Sequence, residues 1–404
     1  MIRYYSVYDL LLSKTKSTTE EDLLIFLKEK LKINKSQAHS LKENTFIPYD
    51  KSMLNKILDY LEISELELQL LLGIIPPKYQ EIYNKNIKKI ANILNESYDI
   101  QKKLEDENNI SVSVPFFKSN LGTLYKGDVL NLFKLVDDDS IDCVFADPPF
   151  NLNKQYDTGV TDQKSVSDYL TWCTLWLDEC IRVLKPGGSL FIYNLPKWNI
   201  YLANHLNKSL KFMNQISIDL KATLPIANRL YPSHYSLLYY IKGDKPKTFN
   251  NQRVPLQTCR HCGGEIKDYG GYKNKMNPLG VNLSDVWTDI FPVRHSNSKN
   301  RNFNELPVKL LDRIITMATN ERDIILDPFG GSGTTFAVAE LLNRKWLGFE
   351  LGNCNIIKDR LLNKDNDKEL LKKVESTKNV IFPSNVQKLR KKNGFWLSED
   401  FSNS

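Results

Sequence analysis

Asp323-Ile-Ile-Leu-Asp327-Pro-Phe-Gly-Gly-Ser-Gly333-Thr-Thr335 is the stretch that decides the fold. An apolar run ends in an aspartate and a proline, three glycines follow within four residues, and helical periodicity begins at Thr334. This is a strand handing over to a helix. Its glycines let the backbone approach a ligand closely, and the helix N-terminus faces the same crevice. A further strand, expected over 346–351, carries Glu350 about 23 residues beyond Asp327, near the offset at which a carboxylate reaches ribose hydroxyls in dinucleotide folds. Asp327, Phe329, Gly330, Gly331, Ser332, Gly333, Thr334 and Glu350 are therefore candidates for a nucleotide-like cofactor site. A nicotinamide fingerprint would need glycine where Phe336 stands, and a P-loop would need lysine where Gly333 is followed by Thr334.

Outward from this stretch, periodicity predicts a helix over 305–319 before the strand and another over 334–344 after it. A second unit lies upstream. Ser140-Ile-Asp-Cys-Val-Phe-Ala reads as a buried strand that stops at Asp147-Pro-Pro-Phe150, where two prolines end the ladder. A helix is expected over 166–184, a turn at Lys185-Pro-Gly-Gly188 and a strand from Ser189. Such alternation predicts an α/β fold, a Rossmann-like and mostly parallel sheet with helices on both faces.

Asp147, Pro148, Pro149 and Phe150 form the second candidate constellation. The amino group of a nucleobase is a poor nucleophile because its lone pair is delocalised into the ring. If Asp147 accepts one amino hydrogen and the Pro148 carbonyl the other, the nitrogen is drawn towards tetrahedral geometry. Prolines suit the role because they stiffen the backbone and leave carbonyls without sheet partners. Phe150 then offers a stacking face for an extruded base, a contact that contributes about 1–3 kcal/mol. A plain turn would fit the same four residues, but their place at a strand's end favours the site.

The 404 residues predict a catalytic domain over 115–360 with appendages on either side. Residues 1–84 read as a small helical domain, with helices expected over 20–30 and 52–61. Its stretch from Asn34 to Pro48, followed by Leu54-Asn-Lys-Ile-Leu, resembles helix-turn-helix domains, though a plain helical packing domain fits the same pattern. Residues 85–114 read as a connecting helix or linker and 361–404 as a peripheral helix and basic tail. Between the two catalytic motifs, about 198–304 form an insertion. From Ile241 to Arg301 it carries eleven lysines and arginines against five acidic residues, with Tyr269, Tyr272, Lys273, Lys275 and Arg294 mixing the aromatic and basic character that base and phosphate contacts use.

The net charge of +7 has the sign expected of a polyanion binder. With 41% hydrophobic residues, no apolar run long enough for a bilayer and no secretory signal, a cytoplasmic protein without a membrane partner is expected. The six cysteines are too scattered for a disulfide framework. Cys259-Arg-His-Cys262 has the spacing of half a zinc site, but no second pair exists. His234, His261 or His295 would have to complete it, so reduced thiols and no metal are expected.

The pair Asp147-Pro-Pro-Phe and Phe329-Gly-Gly-Ser-Gly resembles the two signature motifs of the bacterial DNA amino-methyltransferases. The order, catalytic motif first, then a recognition region, then the cofactor motif, is that of the family's β-class. The resemblance spans about 121–351 and includes Gly127-Asp128, Lys185-Pro-Gly-Gly and Leu306-Pro-Val-Lys-Leu-Leu. The family often has Lys-Pro where this chain has Leu306-Pro307. The resemblance implies S-adenosylmethionine as cofactor, with Phe329, Gly331 and Gly333 lining its pocket, Glu350 on its ribose and Asp128 near its adenine. It also implies double-stranded DNA as substrate, a restriction-modification setting with a cognate endonuclease, and room for a homodimer. An aspartate at the head of the catalytic motif favours adenine-N6 over cytosine-N4 in that family. A DNA-binding regulator with an inactive methyltransferase domain is the reading from another class, and intact motifs argue against it.

Overall fold

The computed structural model describes residues 7–15, 20–43, 48, 50–71, 85–93, 95, 114–152, 166–220, 226–228, 230–264, 276–293 and 305–401. Contacts divide the chain into two units. One comprises residues 1–114 with 200–213 and 240–245; the other comprises 115–199, 214–239 and 246–404.

In the first unit, helices α1 (Val7–Lys14), α2 (Glu20–Glu29), α3 (Lys35–Glu43), α4 (Lys51–Leu61) and α5 (Glu65–Leu71) follow one another. Leu10, Leu23, Leu27, Leu41, Leu54 and Ile57 come from successive turns and share one buried core. The helix starts are written locally. Asp50 accepts hydrogen bonds from the amides of Ser52 and Met53, at 2.9 and 3.1 Å. Ser64 and Glu67 form a reciprocal capping box: the Ser64 amide donates to Glu67 at 2.9 Å and the Glu67 amide to Ser64 Oγ at 3.2 Å. Residues 44–47, inside the stretch that resembles a helix-turn-helix, lie outside the described residues.

From Pro115 onwards the chain forms β1 (Phe117–Lys118), β2 (Gly122–Lys126), α6 (Val129–Phe133), β3 (Ile141–Ala146), α7 (Val166–Val183) and β4 (Leu184–Asn194). Then follow α8 (Pro196–Leu206), β5 (Lys211–Asp219), β6 (His234–Ile241), β7 (Arg253–Val254), β8 (Val281–Asn282) and β9 (Val286–Trp287). The chain continues through α9 (Val308–Ala318), β10 (Ile324–Asp327), α10 (Thr334–Leu341) and β11 (Lys345–Glu350), and then α11 (Cys354–Leu362), α12 (Asp365–Glu375) and α13 (Ser384–Lys392). Nine strands form one sheet in the order β1-β2-β11-β10-β3-β4-β6-β5-β9. The five strands from β2 to β4 in that order are mutually parallel. All six residues of β3 are buried, as a strand covered on both faces requires of its apolar residues, and the one charged residue among them, Asp142, is ion-paired.

Two expectations are corrected. Lys185-Pro-Gly-Gly188 is not a turn between elements but lies inside β4. Leu184 pairs with Ile141 and Ser189 with Cys143, so the four residues bulge from the ladder, with Gly187 at φ +74°. The bulge is anchored because Lys185 Nζ and Lys247 Nζ each lie 2.7 Å from the buried Asp142. Beyond the expected peripheral helix, the segment read as a basic tail is folded too. Ile381 and Phe382 pack with Leu256, and the buried Arg390 guanidinium sits 4.2 Å from the Phe382 ring and 4.6 Å from that of Trp396. The strongly basic α13 gave little sign of this, since its one fully buried residue is itself an arginine, joined by the half-buried Val386.

Candidate active site

Strand β10 pairs in parallel with β3, Ile325 opposite Cys143 and Leu326 opposite Val144. The loops that leave their C-terminal ends, Asp327 onwards and Asp147 onwards, therefore start about 4.8 Å apart laterally although 180 residues separate them in sequence. From β3 the chain winds to β4 on one side, and from β10 to β11 on the other. The crevice between them is the topological switch point at which α/β sheets bind ligands.

The glycine loop is braced from its own neighbourhood. Asp327 accepts the Phe329 amide at 2.9 Å and the Thr335 hydroxyl at 2.6 Å. The Gly330 amide donates to the Phe349 carbonyl, and the Gly331 amide to Glu350 Oε2 at 2.7 Å. Glu350 Oε1 accepts the Gly352 amide. Gly330 and Gly333 are tight: an added Cβ would lie 2.9 Å from Phe336 and 3.0 Å from Ile357, respectively. Gly331 is different, with φ +52° and only the Phe329 carbonyl within reach of an added Cβ, at 3.8 Å. It forms an open backbone cradle beside the N-terminus of α10, which Gly333 caps. Ser332 Oγ and Thr334 Oγ1 lie 3.3 Å apart beneath it. The Phe329 ring packs edge-on against Trp176 and Trp172, with centroids 5.2 and 5.8 Å away. Burial pushes the Asp327 carboxyl up to about 7, outweighing its two hydrogen bonds, and the nearby Glu350 charge adds to the rise. Burial likewise raises Glu350. On the adjacent strand end, Asp128 caps α6 through the Leu130 amide at 3.0 Å, and the Gly127 amide donates to the Glu350 carbonyl.

The proline loop is held from afar. The Tyr169 hydroxyl donates to the Pro149 carbonyl at 2.7 Å, and Trp198 Nε1 donates to the Phe150 carbonyl at 2.7 Å. Asn194 Nδ2 supports the Tyr169 hydroxyl at 3.3 Å. Among the described residues the Pro148 carbonyl accepts no hydrogen bond. Asp147 and Phe150 open into a cavity of about 110 Å³, walled by Tyr193, Tyr235, Asp219 and Glu305 among others. Phe150, Tyr193 and Tyr235 form an aromatic cluster with centroids 4.9 to 6.3 Å apart. Burial raises the phenols of Tyr193 and Tyr235, and the Asp147 charge raises them further, so both stay protonated donors at neutral pH.

The profile of a DNA methylase family matches residues 141–359 of this sequence. The chain belongs to that family. The methylase is 61% identical over 402 residues to the type II methyltransferase M.BamHI of Bacillus amyloliquefaciens, covering 99% of this chain and 94% of that one. It is 32% identical over 241 residues to the DNA adenine methyltransferase YhdJ of Escherichia coli, covering 59% of this chain and 81% of the relative. Among solved structures, a cytosine-N4-specific PvuII DNA methyltransferase aligns with 67% of the chain and 96% of its own at 18% identity and a TM-score of 0.47.

The methylase is a DNA amino-methyltransferase whose methyl donor is S-adenosylmethionine. Its loop fits that group: Gly331 leaves an open backbone cradle, and each Glu350 oxygen, with one amide already bound, keeps a lone pair for a hydroxyl donor. Asp327 faces inward, with both oxygens engaged in shaping the turn.

The fold brings Asp128, Asp147, Asp327, Gly331 and Glu350 to neighbouring ends of β2, β3, β10 and β11. Motif reading missed Tyr169, Tyr193, Trp198 and Tyr235, which have no diagnostic spacing. The signal available was Tyr193 at the end of the apolar strand after the bulge. Tyr269, Tyr272, Lys273, Lys275, Arg294 and His295 lie outside the described residues. Among the described residues no three metal-ligating side chains come together, and no helix is long and apolar enough to cross a membrane.

Proposed function

We propose that the methylase flips a base of duplex DNA into the cavity beside Asp147 and methylates its exocyclic amino group. The observation that carries this reading is the lateral pairing of β3 with β10, which sets an acceptor-rich proline loop beside an open glycine cradle. Asp147 accepts one amino hydrogen and the Pro148 carbonyl the other, which restores lone-pair character to the nitrogen. Asp147 then takes up the proton shed by the methylated nitrogen. Phe150, Tyr193 and Tyr235 hold the ring, the two phenols serving as donors to its polar edge. Phe329, Gly330, Gly331, Ser332, Gly333 and Thr334 bind the donor molecule, with Glu350 on its ribose and Asp128 near its adenine; bound there, the donor supplies an electrophilic methyl group. Alignment of the two reactants contributes most of the acceleration, about 7–11 kcal/mol.

Adenine is the base favoured by an aspartate at the head of the motif. The acceptor pair itself grips an amino group and does not distinguish the ring that carries it. The likeness to a type II methyltransferase over nearly the whole chain supports a role in restriction-modification, acting in the cytoplasm and paired with an endonuclease. Nucleosides from DNA of cells expressing the chain, separated by mass spectrometry, test both levels. N6-methyladenine is expected. N4-methylcytosine would replace the base and keep the mechanism, whereas neither product would overturn the reading.

A further inference from the structure

Arg360, in the last turn of α11, spans two parts of the site that no motif joins. Its Nη1 lies 2.9 Å from Glu305 Oε1, on the wall of the base cavity, and 3.3 Å from both the carbonyl and the hydroxyl of Ser332 in the glycine loop. Its other face forms a fork with Asp367, Nε to Oδ2 at 3.0 Å and Nη2 to Oδ1 at 2.6 Å. Asp367 is buried and Arg360 nearly so, with side-chain exposures of 4% and 13%. The fork fixes the plane of the guanidinium. Nη1 then hydrogen-bonds to the two Ser332 oxygens at the long end of hydrogen-bonding distance and keeps Glu305 beside it as an ion-pair partner. Helix α11 also supplies Ile357, which lies beneath Gly330 and Gly333. Any tightening of the glycine loop around a ligand therefore moves against a helix that already holds the cavity wall.

We infer that Arg360 is a positioning residue that couples occupancy of the cofactor loop to the base cavity, through Ser332 on one side and Glu305 on the other. The inference rests on the proposed placement of base and cofactor. Each ligand tightens the binding of the other, and linkage makes the two effects equal.

The test measures binding of S-adenosylhomocysteine, which has no methyl to transfer, with and without an unmethylated duplex carrying the chain's own site. In the wild type the duplex is expected to tighten it at least about fivefold. In Arg360→Met, in Glu305→Gln and in the double variant this gain should fall below about twofold, the double being no worse than either single change. Arg360→Lys keeps the charge but loses the fork, and stands in should the methionine variant fail to fold. Asp367→Asn, which touches neither ligand but loosens the fork, should lower both the melting temperature and the coupling, whereas a merely structural arginine would lower the melting temperature alone. Full coupling in a folded Arg360 variant overturns the inference. A wild type that methylates DNA without coupling overturns it alone, and a wild type that methylates no DNA overturns the reading beneath it.

Discussion

The two loops at the switch point are supported by different means. The glycine loop is held mostly by its own strand-turn-strand unit and the helix after it: Asp327, Phe349, Glu350 and Arg360 bond its backbone, Thr335 holds Asp327, and Ile357 fills the space beneath. The Phe329 ring packs on Trp172 and Trp176 of α7. The proline loop is held by single side chains of the two helices that follow, Tyr169 in α7 and Trp198 in α8, at 20 and 48 residues' separation, and takes its cavity from residues as distant as Glu305. The proposed cofactor pocket is shaped by the backbone of one turn, whereas the proposed base cavity is shaped by side chains that only the fold assembles.

The largest effect expected from breaking this contrast is at Asp147. Asp147→Ala should fold and bind cofactor, yet lose at least about a hundredfold in single-turnover methyl transfer, since it removes an acceptor used in the transition state. Substantial turnover per folded molecule would reduce Asp147 to a turn residue. On the other side of the crevice, Gly331→Val puts a branched side chain at φ +52° and into the cradle. Strain of about 1–3 kcal/mol should weaken S-adenosylmethionine roughly ten- to a hundredfold in calorimetry and leave DNA affinity nearly unchanged.

Tyr169→Phe is a subtler probe of support from afar. It deletes one hydrogen bond to Pro149, worth about 1 kcal/mol, and should lower kcat about fivefold with little change in the KM for cofactor. An equal loss in cofactor binding would mean that the two loops are not separately supported.

The last probe reads stability and leaves turnover aside: burial pushes the Asp327 carboxyl from an ordinary 3.8 up to about 7. A raised carboxyl favours the protonated native state. Its contribution to stability is therefore fully present below the unfolded value and lost as pH rises from about 4 to 7. Melting temperatures of the cofactor-free protein should carry this downward component, and Asp327→Asn should remove it. An unaltered pH slope in the variant would mean that Asp327 is not buried as described.

The sequence by itself determined the elements whose causes are local. The run Ile324–Asp327 with its glycines, the prolines after Ala146 and the offset to Glu350 depend on backbone conformation and chain spacing, which neighbouring residues dictate. Both motifs, and the parallel sheet that alternation demands, were legible for that reason. Only the tertiary structure decided that β3 and β10 lie side by side, that Tyr193 and Tyr235 wall the cavity, and that Arg360 joins Glu305 to Ser332. It also turned an expected tail into a packed helix around Arg390 and an expected turn into a bulge tied to Asp142. Contacts of this kind join residues tens to hundreds of positions apart. They arise when apolar faces choose partners and buried charges find counter-charges, and no local pattern records that choice.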